Sequence, residues 1–392
     1  MILAAGTLAQ ASFSTATVGL PALAPALRSH YHLTLAETGV VLAGTGIGML
    51  FTLLPWGLAA DRWDERRVVA VGLGIAAVGL AAAATTETYL AVTLLLVLTG
   101  AGGASVNSAT GRAVMGWFGR GELGLALGIR QTAIPIGGAV GAAVLPALAT
   151  AGGTRLAFFC LAGACLFGAT LSATLLRASP VQREPELGAV SRPLRERRLW
   201  LLALASALYL LAQIAITSFV VLFLHGHRGL STHAAAAVLA VINVLAVAAR
   251  ILAGRISDRV GSRLRPLRVI GWLLAVSTAL VAVLIDAPLW LLITSLIVTG
   301  VLSLAWNGVA FAATAEVAGA ARTGAALGFQ QTMLGITVAG APPLLAAIAE
   351  SSWRATYAVA AIGPLLGVLL VASLSRTGER SHGTSAIPPT AP

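Results

Sequence analysis

The sequence predicts an all-α integral membrane protein whose twelve transmembrane helices form two pseudo-symmetric bundles of six. Three observations carry this prediction: an apolar composition, twelve apolar segments, and polar residues repeated half a chain apart. Of 392 residues, 58% are hydrophobic and only 10% are charged, whereas a soluble domain carries about 25% charged residues. So few charges cannot cover a water-soluble globule of this size, and lipid is therefore the predicted solvent.

A helix needs about 20 apolar residues to cross a bilayer. The chain offers twelve such segments, at residues 2–27, 36–60, 68–86, 89–113, 123–149, 154–176, 199–224, 231–253, 266–285, 288–313, 323–349 and 353–375. The first lacks a charged leading region and a clear cleavage site, so we interpret it as a spanning helix and not as a removable signal.

The longest polar interruption lies at residues 177–198 and is rich in proline, arginine and glutamate. It separates six segments from six, and we interpret it as a cytoplasmic linker. The N-terminal bundle then covers residues 1–176 and the C-terminal bundle residues 199–375. The proline-rich tail at 376–392 is predicted to be a disordered cytoplasmic extension.

All 25 basic residues are arginines, and most lie in short loops between apolar segments. If the first segment starts in the cytoplasm, the loop arginines on the outer side are only Arg28, Arg155, Arg228 and Arg354. Because positive charge marks the cytoplasmic side, we predict a multi-pass protein of a bacterial inner (plasma) membrane with both termini in the cytoplasm. No basic face with interleaved aromatic residues occurs, which argues against nucleic-acid binding despite a net charge of +11.

Polar positions repeat at an offset of 200 residues. Asn107 is matched by Asn307. A group of four residues is also repeated, since Gly124, Gly128, Gln131 and Thr132 are matched by Gly324, Gly328, Gln331 and Thr332. Such agreement indicates a duplicated six-helix unit. Repeats of this type often place a substrate site between the halves, near the middle of the bilayer.

A charged motif also occurs once per half, as GLAADRWDERR at 57–67 and GRISDRVGSR at 254–263. It resembles the loop signature of the major facilitator superfamily, Gly-x-x-x-Asp-Arg-x-Gly-Arg/Lys. The matching residues are Gly57, Asp61 and Arg62 in the first copy and Gly254, Asp258, Arg259 and Gly261 in the second. The first copy departs from the pattern at Asp64, where the second glycine is usual.

The resemblance implies the two-bundle fold of that superfamily and a monomeric secondary transporter that works by alternating access, without a cofactor. It also implies that the signature loops form a cytoplasmic latch, with Asp61 near the start of segment 11 and Asp258 near the start of segment 5. An acid facing a helix N-terminus contributes about 0.3–1 kcal/mol when exposed. The alternative is an ordinary charged turn that only sets topology.

Three arginines lie within apolar segments: Arg112, Arg130 and Arg250. A central arginine costs about 2.5–3.5 kcal/mol on insertion scales, so it usually faces a partner or a wet cavity. No Asp or Glu lies in mid-span, and guanidinium groups suit carboxylate or phosphate. We therefore predict that the substrate is a small organic anion, carried with protons or down its own gradient. Each arginine has the alternative of extending to the membrane surface.

The spacing of Arg250 and Gly254 is similar to that of the monocarboxylate branch, in which the arginine engages substrate. That branch carries an acid one turn earlier, where this chain has Ala246. The resemblance therefore implies a substrate role for Arg250 but not the proton relay of that branch.

Amide side chains also lie inside the apolar segments, and an amide in lipid must bind either substrate or another helix. The candidates for substrate contact are Gln10, Asn107, Gln131, Gln213 and Asn307. The resemblance favours four of them, since segments 1, 4, 7 and 10 line the cavity in this superfamily. Pro135, followed by Gly137 and Gly138, predicts a bend or a close helix contact in segment 5.

Two alternative functions stay open. One is a proton-coupled drug or metabolite efflux antiporter, although a cationic drug lacks a mid-membrane counter-charge here. The other is a polytopic membrane sensor or enzyme, which the absence of HExxH, GxSxG and Walker A motifs disfavours. No metal site or cofactor is predicted. The expected partners are a small-molecule substrate, membrane lipid and protons as a coupling ion.

Overall fold

The computed structural model describes residues 2–117, 123–176, 196–319 and 323–382, and all of its regular elements in these ranges are helices. Side chains are described except at Ile2, Asp61 and Gly324, and within 111–129 and 375–382. The all-α prediction is therefore confirmed for the described part of the chain. Most of the predicted linker and residues 383–392 of the tail lie outside it.

The N-terminal half contains α1 (Ile2–Thr17), a 3₁₀ turn (Leu20–Leu23), α2 (Ala24–His30), α3 (Leu35–Arg62), α4 (Glu65–Ala83), α5 (Tyr89–Trp117) and α6 (Leu123–Leu175). The C-terminal half contains α7 (Arg197–Thr217), α8 (Val220–Gly226), α9 (Thr232–Val260), α10 (Leu264–Val283), α11 (Leu289–Ala318), α12 (Thr323–Ser351) and α13 (Trp353–His382).

Ten helical stretches of the described chain are long and apolar enough to cross a membrane. One of them lies in α6, which is broken by non-helical backbone at Gly152 and by Gly153 with φ 68°. The first predicted segment is divided into α1, the 3₁₀ turn and α2. The count of twelve stays a prediction, because it treats α6 as two spans, these three pieces as one, and α7 with α8 as one.

The departure at Asp64 has a structural reason. Its carboxylate accepts a hydrogen bond from the backbone N–H of Arg67 at 2.7 Å and so caps the start of α4. In the second copy, Gly261 ends α9 with φ 62°, a left-handed conformation that favours glycine. The first loop therefore caps the start of its second helix, whereas the second loop ends its first helix with glycine.

The halves meet mainly through two helix pairs, α3 with α12 and α6 with α9, and α2 and the 3₁₀ turn add smaller contacts to α8 and α9. Along the first pair, glycines permit close approach: an added Cβ at Gly39 would lie 2.5 Å from Cβ of Ala346, and one at Gly46 would lie 2.4 Å from Cγ1 of Val338. Nearer the linker, an added Cβ at Gly57 or Gly328 would meet nothing within 4 Å. The close contact therefore lies at the end remote from the linker, which we call the closed end.

The pair α6 and α9 is also closely packed. An added Cβ at Gly138 would lie 2.6 Å from Cγ1 of Val18 and 2.7 Å from Oδ1 of Asn243. Gly138 therefore allows α6 to contact both α9 and the residue that follows α1 at the same level. This agrees with the close helix contact predicted for the region after Pro135.

Candidate functional site

A buried arginine organises the polar residues of the N-terminal half. Arg130 on α6 is 8% exposed. Its Nε donates to Oγ1 of Thr110 at 2.7 Å, and its Nη2 donates to the backbone oxygen of Asn107 at 3.2 Å and to Oε1 of Gln10 at 3.4 Å. Three helices, α1, α5 and α6, thus supply the surroundings of one guanidinium group.

The neighbours of Arg130 are arranged so that oxygen atoms face it. Gln10 directs its amide nitrogen to Oγ of Ser14 at 3.4 Å, which leaves its oxygen for the arginine. Thr110 donates its own hydroxyl proton to the backbone oxygen of Val106 at 2.6 Å, so its lone pairs face Nε of Arg130. Asn107 and Thr110 lie one turn apart and therefore share a face of α5.

All described hydrogen-bond partners of Arg130 are neutral, and no carboxylate of the described residues forms an ion pair with it. A buried cation without a counter-charge is costly, even where dipoles solvate it. Of the hydrogen bonds described for Arg130, none is donated by Nη1, which carries two N–H groups.

A pair of amides lies in the C-terminal half. Nδ2 of Asn307 on α11 donates to Oε1 of Gln213 on α7 at 3.2 Å, and both side chains are partly buried. The neighbouring Trp306 is fully buried and packs edge-on against Tyr209, with ring centroids 5.8 Å apart. The amide pair, and not the indole ring, is therefore the part of this region that retains accessible polar surface.

Arg250 on α9 connects the two halves. Its Nε donates to the backbone oxygen of Leu304 at 2.8 Å, and its Nη1 donates to the backbone oxygen of Gln131 at 3.0 Å. Gln131 follows Arg130 directly, and the oxygen of Leu304 also accepts from Nδ2 of Asn307 at 3.4 Å. A continuous path of contacts thus runs from the arginine of one half to the amide pair of the other.

The structure places seven of the eight predicted substrate residues on this path: Gln10, Asn107, Arg130, Gln131, Gln213, Arg250 and Asn307. Asn107 and Gln131 contribute backbone oxygens to it. The side chain of Arg112 lies outside the described residues. Thr110 was not predicted, and its place one turn after Asn107 was the available signal.

The signature loop of the second half forms a local network. Arg263 donates from Nε to Oε1 of Glu316 at 2.7 Å and pairs through Nη1 with Asp258. The hydrogen bond to Glu316, followed by that to Asp258, raises the pKa of Arg263 above its ordinary value although partial burial opposes this. Asp258 is therefore bound within its own half here.

For the remaining latch residues, no contact to the other half is recorded within the described part of the chain. Gly57 and Gly254 lie within α3 and α9 beside open space, and Arg62 and Arg259 are exposed near the ends of those helices. The side chains of Asp61 and of the first turn of segment 5, and the residues just before segments 5 and 11, lie outside the described residues. The predicted approach of Asp61 and Asp258 to the opposite half stays a prediction.

Comparison with known proteins agrees with this architecture. The model of the Major Facilitator Superfamily matches residues 4–286. The uncharacterised MFS-type transporters Rv2994 and MT3072 from two strains of Mycobacterium tuberculosis are each 32% identical over 357 residues, covering 90% of this chain and 80% of their own.

Two solved structures share the fold at low sequence identity. A bacterial homologue of the human lysosomal transporter Spinster, in an inward-facing and occupied conformation, superposes with a TM-score of 0.77 at 15% identity, covering 96% of each chain. The nucleoside transporter NupG superposes with a TM-score of 0.76 at 15% identity, covering 95% of this chain and 99% of its own. Family model, relatives and fold agree: the chain belongs to the major facilitator superfamily and is a membrane transporter, not an enzyme.

Proposed function

We propose that this secondary transporter carries a small organic anion and that Arg130 recognises its negative charge. The observation that supports this most directly is the buried guanidinium of Arg130, whose described partners are all neutral and whose Nη1 donates none of the described hydrogen bonds. A carboxylate or phosphate placed there would supply the missing counter-charge through charge-assisted hydrogen bonds.

The rest of the substrate would contact both halves. In this proposal Gln10 and Asn107 line the anionic end beside Arg130, and Gln213 with Asn307 provides amide groups for a hydroxyl or carbonyl group at the other end. Arg112, Gln131 and Arg250 add further positive charge or polar contact as the halves rock. A site divided between the halves is what alternating access requires, since each half can release the substrate in turn.

We further propose an inner (plasma) membrane location with both termini in the cytoplasm, supported by the arginine bias of the loops. The closed end then faces outward. Protons are the proposed coupling ion in a symport reaction. One negative charge moved inward against a membrane potential costs about 2.3 kcal/mol per 100 mV, and a proton carried along cancels that cost.

The test is uptake into proteoliposomes across a panel of organic anions and cations, with and without a pH gradient. For an anion that is transported, Arg130→Gln should raise the apparent KM by about 10-fold or more, since a hydrogen bond to a charged group contributes about 1.5–3 kcal/mol. Arg155→Gln is the matched control, because Arg155 is an exposed arginine of the same helix that rests on Phe159.

Transport of cations alone would contradict the proposal and favour the efflux alternative. An unchanged KM in Arg130→Gln, with correct folding, would contradict the role of Arg130 even if anions are carried. A faster anion uptake driven by an inward proton gradient supports symport, and no response to the gradient contradicts it.

A further inference from the structure

A carboxylate joins the two halves at the closed end. Oε1 of Glu350, in the last turn of α12, accepts a hydrogen bond from the backbone N–H of Ala36 at 3.1 Å. Ala36 is the second residue of α3, so the bond links the C-terminal half to the N-terminal half. A second hydrogen bond between described residues of the two halves joins Arg250 to Gln131.

The N-terminus of α3 is suited to this contact. The first N–H groups of a helix have no partner within the helix and form a positive end that attracts carboxylates. Thr34 and Glu37 form a capping box that satisfies two of these groups, the N–H of Thr34 at 2.8 Å and that of Glu37 at 3.2 Å. The N–H of Ala36 lies between them, and the opposite half supplies its acceptor.

The carboxylate is not engaged by the nearby arginine. Arg354, one turn beyond Glu350, donates to Oδ2 of Asp286 at 2.7 Å within the C-terminal half. In the described part of the chain, the hydrogen bond recorded for Glu350 is the one to Ala36. The charge of Glu350 is therefore directed at the helix end of the other half.

The remaining contacts along α3 and α12 near this end are steric. Gly39 packs against Pro342 and Ala346, and Gly46 packs against Val338. Because the two helices run antiparallel and belong to different halves, opening this end must separate Glu350 from Ala36. The bond therefore exists only while the end is closed.

We propose that Glu350 is a positioning residue for transport, a latch that stabilises the access state in which the closed end is shut. It does not touch the substrate path around Arg130, so the proposal does not depend on which solute is carried. Loss of the carboxylate should raise the ratio of open to closed molecules at this end by about 2- to 5-fold, the effect typical of a charge at an exposed helix N-terminus.

The experiment measures the distance between the halves at the closed end in liposomes. Spin labels are placed on Thr88→Cys and His233→Cys, two exposed outer positions of different halves, in a Cys160→Ser, Cys165→Ser background. Double electron–electron resonance gives the ratio of long to short distances for the parental protein and for Glu350→Ala and Glu350→Gln. Glu37→Ala is the matched control, because it removes a carboxylate from the same helix end without removing a contact between halves.

The expected result is a 2- to 5-fold higher long-to-short ratio in Glu350→Ala, a smaller rise in Glu350→Gln, and no rise in Glu37→Ala. Equal ratios in all proteins would overturn the proposal, and so would an equal rise in Glu350→Ala and Glu37→Ala, since that would show a general helix-end effect. If Glu350→Ala loses helical circular dichroism, the isosteric Glu350→Gln decides alone.

Discussion

Nη1 of Arg250 on α9 lies 3.0 Å from the backbone oxygen of Gln131 on α6, and this bond joins the two halves next to Arg130. Pro135, four residues after Gln131, has no backbone N–H, so the carbonyl of Gln131 lacks its usual donor within the helix and Arg250 supplies one from the other half. The same guanidinium binds Leu304 on α11, which makes Arg250 the central connection of three helices.

Arg250→Ala should lower the stability of the detergent-solubilised protein by about 1–3 kcal/mol, because two backbone oxygens lose a charged donor. The decrease in thermal unfolding temperature measures this. Arg255→Ala is the control, since Arg255 is an exposed arginine of the same helix. Equal unfolding temperatures for both variants would contradict a structural role for Arg250.

Gly138→Ala should impair packing between α6, α1 and α9, because the new methyl group would lie 2.6 Å from Cγ1 of Val18 and 2.7 Å from Oδ1 of Asn243. Overpacking of this kind costs about 1–3 kcal/mol, and we expect a lower unfolding temperature together with slower transport. Gly163→Ala on the same helix meets nothing within 4 Å and should behave as the parental protein. A tolerated Gly138→Ala would show that the helices separate freely there.

Gly261→Ala should destabilise the loop after α9 by about 1–2 kcal/mol, since a residue with a Cβ must adopt the left-handed conformation at φ 62°. Gly254→Ala, seven residues earlier in the same signature, places its methyl group in open space and should not destabilise. Thermal unfolding of the two variants compares them directly. Similar losses in both would show that the signature glycines share one role.

Asp258→Asn tests the signature loop as a latch. In this state Asp258 binds Arg263, which also holds Glu316 at 2.7 Å, so the variant should weaken the local network and shift the balance of access states. We expect a changed transport rate and a changed distance distribution between spin labels on the linker-side ends of the two halves. If neither differs from the parental protein, the latch hypothesis fails and a topology-setting turn remains.

Much of the fold follows from the sequence because lipid imposes simple rules. The lengths of the apolar segments and the polar interruptions between them predicted the helices. Arg130 and Gln10 stand out because they are polar residues within apolar segments. Gly44, Gly46 and Gly48 of the second segment all lie close to neighbouring helices, as small residues between membrane helices usually do.

Other features required the packed structure. Asn107 presents its backbone oxygen and not its amide, which depends on how α5 is rotated against α6. The only signal for Thr110 was its place one turn after Asn107, and this did not distinguish it, because many threonines in these helices donate to the carbonyl four residues earlier, as Thr110 itself does. Glu350 lies near a predicted helix end, where acids are common, and its partner is 314 residues away.

Asp64 has a consequence for identifying relatives of this chain. At this position the second copy has a glycine that ends the preceding helix, and the first copy has a carboxylate that caps the following helix. The requirement is therefore geometric, and several residue types meet it. Asn, Ser and Thr also cap helices well. A search pattern that allows these four alongside glycine should retrieve chains that a strict glycine requirement discards, and their α4 should begin at the same place.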